Sequence, residues 1–187
     1  MRKGKVDEDS VLSTAYIIPT GDDIHSGVVQ DLDSPEIMGQ IVRAQPVAEV
    51  TRLCPLADEE EGIFNKIREI AEQKKPDLVV LIGGSGGGHR FSGTLGKDFT
   101  HSGLERYLEQ KVSREIYGKN GHLWCKLVCG KKGPTLIVNV PGPYQEAKAA
   151  IEACLKELVK ESDIEDICKA MAEAVYAQYP ADAAKAL

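Results

Sequence analysis

The stretch DLVVLI (77–82) carries five consecutive aliphatic side chains and then runs directly into GGSGGG (83–88). An apolar run without alternation has no wet face, so it reads as a strand covered on both sides, as in the interior of a parallel sheet. Parallel neighbours need crossover connections, usually helices. The flanking sequence should therefore alternate strands with amphipathic helices. VLSTAYIIP (11–19) reads as a strand closed by Thr20-Gly21-Asp22-Asp23. A helix is predicted from Ser34, with Pro35 at its first position and Ile37, Met38, Ile41 and Val42 as its buried stripe. VAEVTRL (47–53) is a second strand, after which Asp58 and Glu61 read as a capping box. The helix that follows buries Ile63, Phe64, Ile67 and Ile70 and stops at Pro76. Ser102 with Glu105 caps a helix buried through Leu104, Tyr107, Leu108 and Val112. HLWCKLVC and PTLIVNV predict an antiparallel hairpin with a four-residue turn at 130–133. Pro141-Gly142-Pro143 opens a helix carrying Ala147, Ile151, Cys154 and Leu155, and Ser162 with Glu165 caps a last one. The pattern predicts an α/β fold, a three-layer α/β/α sandwich around a mainly parallel sheet.

With 187 residues, one domain is expected over 11–187, with a flexible tail at 1–10 and a C-terminal helical extension from about 162. Acidic residues outnumber basic ones 29 to 23, for a net charge of −6. That balance argues against nucleic acid or an anionic membrane as partner, since both select a basic footprint. The five cysteines show no CxxC spacing, so neither a disulfide framework nor a zinc site is indicated and a reducing cytoplasm is expected. Cys125 and Cys129 alternate with Leu127 on one strand face and read as core.

In a parallel sheet, ligands bind beyond the carboxyl ends of the strands. Three inferred strand ends carry TGDD (20–23), GGSGGG (83–88) and the proline-glycine segment at 141–143. A glycine-rich turn can cradle a phosphate on its N–H groups alone, although a glycine cluster by itself reads equally as a flexible loop. Asp22, Asp31, Asp58 and Asp98 lie in or beside inferred loops. Phosphate chemistry commonly employs Mg²⁺ held by one or two carboxylates and the substrate's own phosphates. Asp58 reads equally as a helix N-cap, and Asp22 and Asp23 as turn residues. His25 and His101 fall in predicted loops.

The order of these segments resembles the MoaB/Mog molybdopterin-binding family over about residues 11–160. The resemblance rests on TGDD, GVVQDLDSPEI, DLVVLIGGSGGG, KDFTHSGLE and LIVNVPGP. It implies that Gly83, Gly84, Ser85, Gly86 and Gly87 form a pterin-phosphate loop, joined on the substrate side by Thr100, Pro141 and Gly142. It implies Asp98 and Asp58 as catalytic residues and as holders of Mg²⁺. Thr20, Gly21, Asp22, Asp31 and Ser34 would line the nucleotide side. Gly27 belongs to the same segment as Asp31 and Ser34. Tyr144 stands where a second proline is usual, and the stretch 89–97 (HRFSGTLGK) is longer than the family's spacing. Arg90 and Lys97 give that stretch cations to close over an anion as a lid. The implied activity is adenylylation of molybdopterin's terminal phosphate with Mg-ATP, in a homo-oligomer, a trimer by resemblance. The alternative is a pterin- or nucleotide-binding protein of the same fold without transferase activity.

Overall fold

A computed structural model describes residues 12–86 and 98–186. The tail at 1–10, Gly87 and the stretch 89–97 with its lid expectation lie outside the described residues. The DLVVLI run forms β3 (Leu78–Ile82), every residue of which is buried. It pairs in parallel with β1 (Thr14–Pro19) on one side and with β6 (Thr135–Val140) on the other. β2 (Glu49–Arg52) extends the parallel part beyond β1. Beyond β6 lie β5 (Leu123–Lys132) and then the edge strand β4 (Gln110–Tyr117), each paired antiparallel to its neighbour. The sheet order is therefore β2-β1-β3-β6-β5-β4, a mainly parallel core with an antiparallel flank.

Alternate residues of the central strands feed two separate cores. Ala15, Ile17, Leu78, Val80, Val138 and Val140 pack under α2 (Asp33–Ala44), α5 (Tyr144–Val159) and α6 (Ile164–Tyr176). Ile18, Val79, Leu81, Val128 and Ile137 pack under α3 (Glu60–Glu69) and α4 (Thr100–Tyr107). This is the expected three-layer sandwich. Burying the five side chains of β3 contributes on the order of 10 kcal/mol before chain entropy is subtracted. Cys125, Leu127 and Cys129 are all fully buried in the first core, as their alternation predicts.

The structure departs from the sequence pattern at several positions. Val42 is 44% exposed, and the buried face of α2 runs through Ser34, Ile37, Gln40 and Ile41 instead. Asp58 does not cap α3, whose N-cap position is Glu59 without a side-chain bond. That helix ends in a widened π turn, Ile70–Lys74, before Pro76. Thr100 rather than Ser102 begins α4, and Val112 belongs to β4, not to that helix. The hairpin turns on Gly133 and Pro134, because Lys132 already pairs with Thr135. Gly130 sits within β5, where an added Cβ would lie 2.6 Å from the Gln110 carbonyl oxygen. It marks a close strand approach, not a turn. Asp163, not Ser162, caps α6 by accepting the Asp166 N–H.

One feature of the sheet opens the site. β5 and β6 stay in register only from Cys129 opposite Val138 to Lys132 opposite Thr135. Past that point the fully buried Asn139 takes over from the backbone ladder. Its Oδ1 accepts the Val128 N–H at 2.6 Å and its Nδ2 donates to the Lys126 carbonyl at 2.9 Å. The amide wedges the strands apart, and the Lys126 N–H then donates at 2.6 Å to the Ser85 carbonyl of the glycine loop. Asn139→Leu strands both backbone groups at once. A loss of about 2 kcal/mol or more is expected in chemical denaturation, and a loss under about 0.5 kcal/mol would show that the wedge is dispensable.

Candidate functional site

Because β1, β3 and β6 are parallel and adjacent, their carboxyl ends arrive side by side. β2 lies on one side of β1 and β3 on the other, so the strand order reverses there, the position where such sheets bind ligands. Gly83 leaves β3 with its N–H bound to the Val140 carbonyl at 3.0 Å, and Thr20 leaves β1 with its N–H on the Ile82 carbonyl at 2.8 Å. Gly83 and Gly84 both have positive φ, at 92° and 56°. A Cβ on Gly83 would meet the Thr20 carbonyl, and one on Gly84 would collide with the Thr100 side chain. Glycine is required at both by conformation and by space. Pro141 is buried beside them, and Gly142 lies close enough that a Cβ there would contact the Gly83 Cα.

The hydroxyls of Thr20 and Thr100 are buried and 2.7 Å apart. Thr20 Oγ1 donates its proton to the Ile82 carbonyl at 2.9 Å, so the proton between the two hydroxyls must come from Thr100. The resulting relay, Thr100 to Thr20 to the end of β3, locks the start of α4 against two strands. Beyond Thr20, the Gly21 N–H bonds the Leu56 carbonyl at 2.9 Å and carries the chain into α1 (Asp22–His25). Asp22 and Asp58 then bind each other reciprocally. The Asp58 N–H donates to Asp22 Oδ1 at 3.0 Å, and the Asp22 N–H to Asp58 Oδ2 at 3.3 Å. His25, placed in α1 rather than in a loop, adds a bond from Nδ1 to the Pro55 carbonyl at 2.8 Å.

Asp58 is half-buried, and its other oxygen, Oδ1, is buried without a partner among the described residues. Burial raises its pKa above the ordinary 3.8, and the charges of Asp22, Asp98 and Asp23 add to that, against the lowering effect of the Asp22 N–H. The site thus assembles Thr20, Gly21, Asp22, Asp58, Gly83, Gly84, Ser85, Gly86, Asp98, Thr100, Pro141 and Gly142 about the strand ends. Gly87 lies outside the described residues. Asp31 and Ser34 form a separate cluster at the start of α2. Asp31 accepts the Ser34 N–H at 2.9 Å and pairs with Arg52 of β2 at 2.8 Å. Burial alone would raise the Asp31 pKa, but these partners hold it below its ordinary value.

Three residues with a structural part here were missed as site residues. Asn139 lies within LIVNVPGP, but its wedge depends on where β5 and β6 part. Lys126 reads as an ordinary strand residue. Its backbone holds Ser85, while its ammonium pairs with Glu105 and Glu115 at 2.9 Å each. His101, in the first turn of α4 and not in a loop, bonds Gly86. Only the closeness of His101 to Thr100 in sequence could have hinted at its place. A groove of about 710 Å³ between α2 and α5, lined by Arg43, Lys148 and Lys156 among others, shares no residue with this site.

The family model described as "Probable molybdopterin binding domain" matches residues 16–161, from β1 through α5. The chain belongs to this molybdopterin-binding family of molybdenum cofactor biosynthesis. No curated protein sequence matches it. Among solved structures, the molybdopterin biosynthesis enzyme MoaB from Thermus thermophilus is 19% identical, with a TM-score of 0.58, covering 88% of this chain and 98% of that one. The tungsten cofactor synthesizing protein MoaB from Pyrococcus furiosus is 14% identical, with a TM-score of 0.59, covering 80% and 94%. The protein CinA, of unknown function, from Thermoplasma acidophilum is 19% identical, with a TM-score of 0.60, covering 80% and 99%. At such identities the likeness is one of fold. The family match ends before α6, whose Ile167, Cys168 and Met171 nevertheless complete the first core. Among the described residues no helix is long and apolar enough to cross a membrane.

The proton relay makes the two threonines unequal. Thr20→Val strands the Thr100 donor and should cost about 1–3 kcal/mol, whereas Thr100→Val removes only a donor to Thr20 and should cost about 1 kcal/mol. Equal losses in denaturant titrations would contradict the assigned direction. Asp58→Asn removes a carboxylate whose ionisation is disfavoured by folding. A raised folded pKa means stability is lost as pH rises through it. The Asn variant should therefore melt above wild type at pH 7, a gain that vanishes below the ordinary carboxylate value of 3.8. Melting curves across that range check the sign.

Proposed function

We propose that the chain acts in molybdenum cofactor biosynthesis, holding the terminal phosphate of molybdopterin on the glycine loop and transferring to it the adenylyl group of ATP. The observation that carries this reading is the convergence of the Gly83–Gly84 turn, the Thr20–Thr100 relay and the carboxylates of Asp58 and Asp98 at one set of strand ends. Family membership supplies the pterin, and the two MoaB neighbours named for cofactor synthesis support the same assignment.

The carbonyls of Gly84 and Ser85 are held from behind by the His101 and Lys126 N–H groups. The C=O and the next N–H of a trans peptide point in opposite directions. The amides of Ser85 and Gly86 therefore face away from α4 and β5, where they would hold phosphate oxygens. In the transfer, an oxygen of molybdopterin's terminal phosphate attacks the α-phosphorus of ATP. The new P–O bond forms as the bond from the α-phosphorus to the α,β-bridging oxygen breaks, and pyrophosphate leaves with that electron pair. Positioning and charge neutralisation are the protein's contribution. Asp58 and Asp98 would hold Mg²⁺, and the unpartnered Asp58 oxygen among neighbouring carboxylates fits a cation. Bound there, Mg²⁺ would offset the repulsion between these carboxylates and the phosphate oxygens. Thr20, Gly21 and Asp22 would border the nucleotide, with Asp31 and Ser34 farther along the same side. The resemblance also proposes a homo-oligomer, a trimer.

A second reading, binding without transfer, is supported by the stretch 89–97, which is longer than the family's spacing just before Asp98. Calorimetric titration with Mg-ATP, with and without molybdopterin, combined with a pyrophosphate assay, separates the two. Transfer predicts pyrophosphate release only when molybdopterin is present. Ligand binding with no release would leave the second reading standing. Asp98→Asn should reduce release by about 10²-fold or more, while its melting point stays nearly that of wild type, since the residue lies in a polar segment where substitutions cost within about 0.5 kcal/mol. A large drop in melting temperature would make Asp98 structural.

A further inference from the structure

We infer that His101 is a positioning residue that keeps the Gly86 carbonyl of the glycine loop turned away from the ligand. The inference rests on the reading of this loop as a phosphate cradle. The imidazole reaches from the first turn of α4 to the Gly86 carbonyl, with Nε2 3.1 Å from the oxygen. A carbonyl oxygen can only accept, so Nε2 carries the hydrogen. The same residue's backbone N–H donates to the Gly84 carbonyl at 3.4 Å, and the Lys126 N–H holds the Ser85 carbonyl between them. Three successive carbonyls are thus held by α4 and β5, two of them by His101.

This matters because of what glycine permits. A peptide group beside glycine turns over at small conformational cost. Turned over, it would present a carbonyl oxygen to a phosphate and repel it. The Gly84 and Ser85 carbonyls are held by backbone donors that no side-chain substitution removes. The Gly86 carbonyl depends on the ring. Thr100 locks α4 to β1 and β3 through its hydroxyl, so the ring delivers its hydrogen from a fixed base. His101 Nδ1 is buried with no partner among the described residues. The Nε2 bond is therefore the ring's hydrogen bond among the described residues, and the buried Nδ1 is left unsatisfied.

The test uses the intact chain, two variants and inorganic pyrophosphate as probe. His101→Leu keeps approximate bulk without a donor, and His101→Gln restores an N–H near the position of Nε2. Pyrophosphate affinity should fall about three- to tenfold in the leucine variant, the worth of one hydrogen bond, and return to within about twofold of wild type in the glutamine variant. In wild type, ¹⁵N spectra of the imidazole should show the hydrogen on Nε2. The Gly86 carbonyl ¹³C signal should shift or broaden in the leucine variant and recover with glutamine. An Nδ1–H tautomer overturns the inference, as does unchanged affinity in the leucine variant or a glutamine variant as weak as leucine. If wild type does not bind pyrophosphate, the cradle reading fails, and an unperturbed Gly86 carbonyl signal in the leucine variant would then separately overturn the positioning role. Should the leucine variant not fold, the tautomer and the glutamine variant still decide.

Discussion

The turn that ends β3 admits no side chain at Gly83 or Gly84, and the site is built around that restriction. Both glycines hold left-handed backbone conformations, and the space a Cβ would need belongs to Thr20 and Thr100. The loop can therefore lie directly on β1 and on the start of α4. Larger residues would push apart the elements that carry the hydroxyls and carboxylates. Close approach, rather than flexibility, is what these two glycines supply.

Around that turn, buried polar groups tie the surrounding elements together. The Thr100–Thr20 relay ends on the Ile82 carbonyl, so the first turn of α4 is referenced to the last residue of β3. Asn139 parts β5 from β6 and releases a Lys126 N–H for the loop. Asp58 shows the opposite balance. Its carboxylate sits half-buried among other carboxylates, and burial together with those charges disfavours its ionisation. A group that opposes folding in this way fits a role toward a cation or a charged ligand better than a role in stability.

The fold was legible where side-chain pattern and backbone requirement coincide. The unbroken run of β3 demanded two covered faces and a parallel sheet, and the three strand ends with glycine or proline meet at one edge of it. Legibility failed where a residue's meaning depends on distant chain. Gly130 read as a turn because glycine usually is one, whereas the nearness of Gln110 and Leu108 requires it within a strand. Val112 continued a helical period but pairs with Cys129 in the sheet. Asp58 had the spacing of a cap, yet its carboxylate is committed to Asp22, 36 residues away in sequence. Thr20, Thr100 and the glycines were accessible through motif order. The partners that orient them, His101, Lys126 and Asn139, act through backbone contacts that no local signal records.

The most direct test of the strand-end site is a map of amide chemical-shift changes as molybdopterin is titrated into the ¹⁵N-labelled protein. The largest changes should fall on Ser85 and Gly86, followed by Thr20, Thr100 and Asp58, with the α2–α5 groove of Arg43, Lys148 and Lys156 unmoved. Changes confined to that groove, with Ser85 and Gly86 still, would contradict a ligand site at the strand ends.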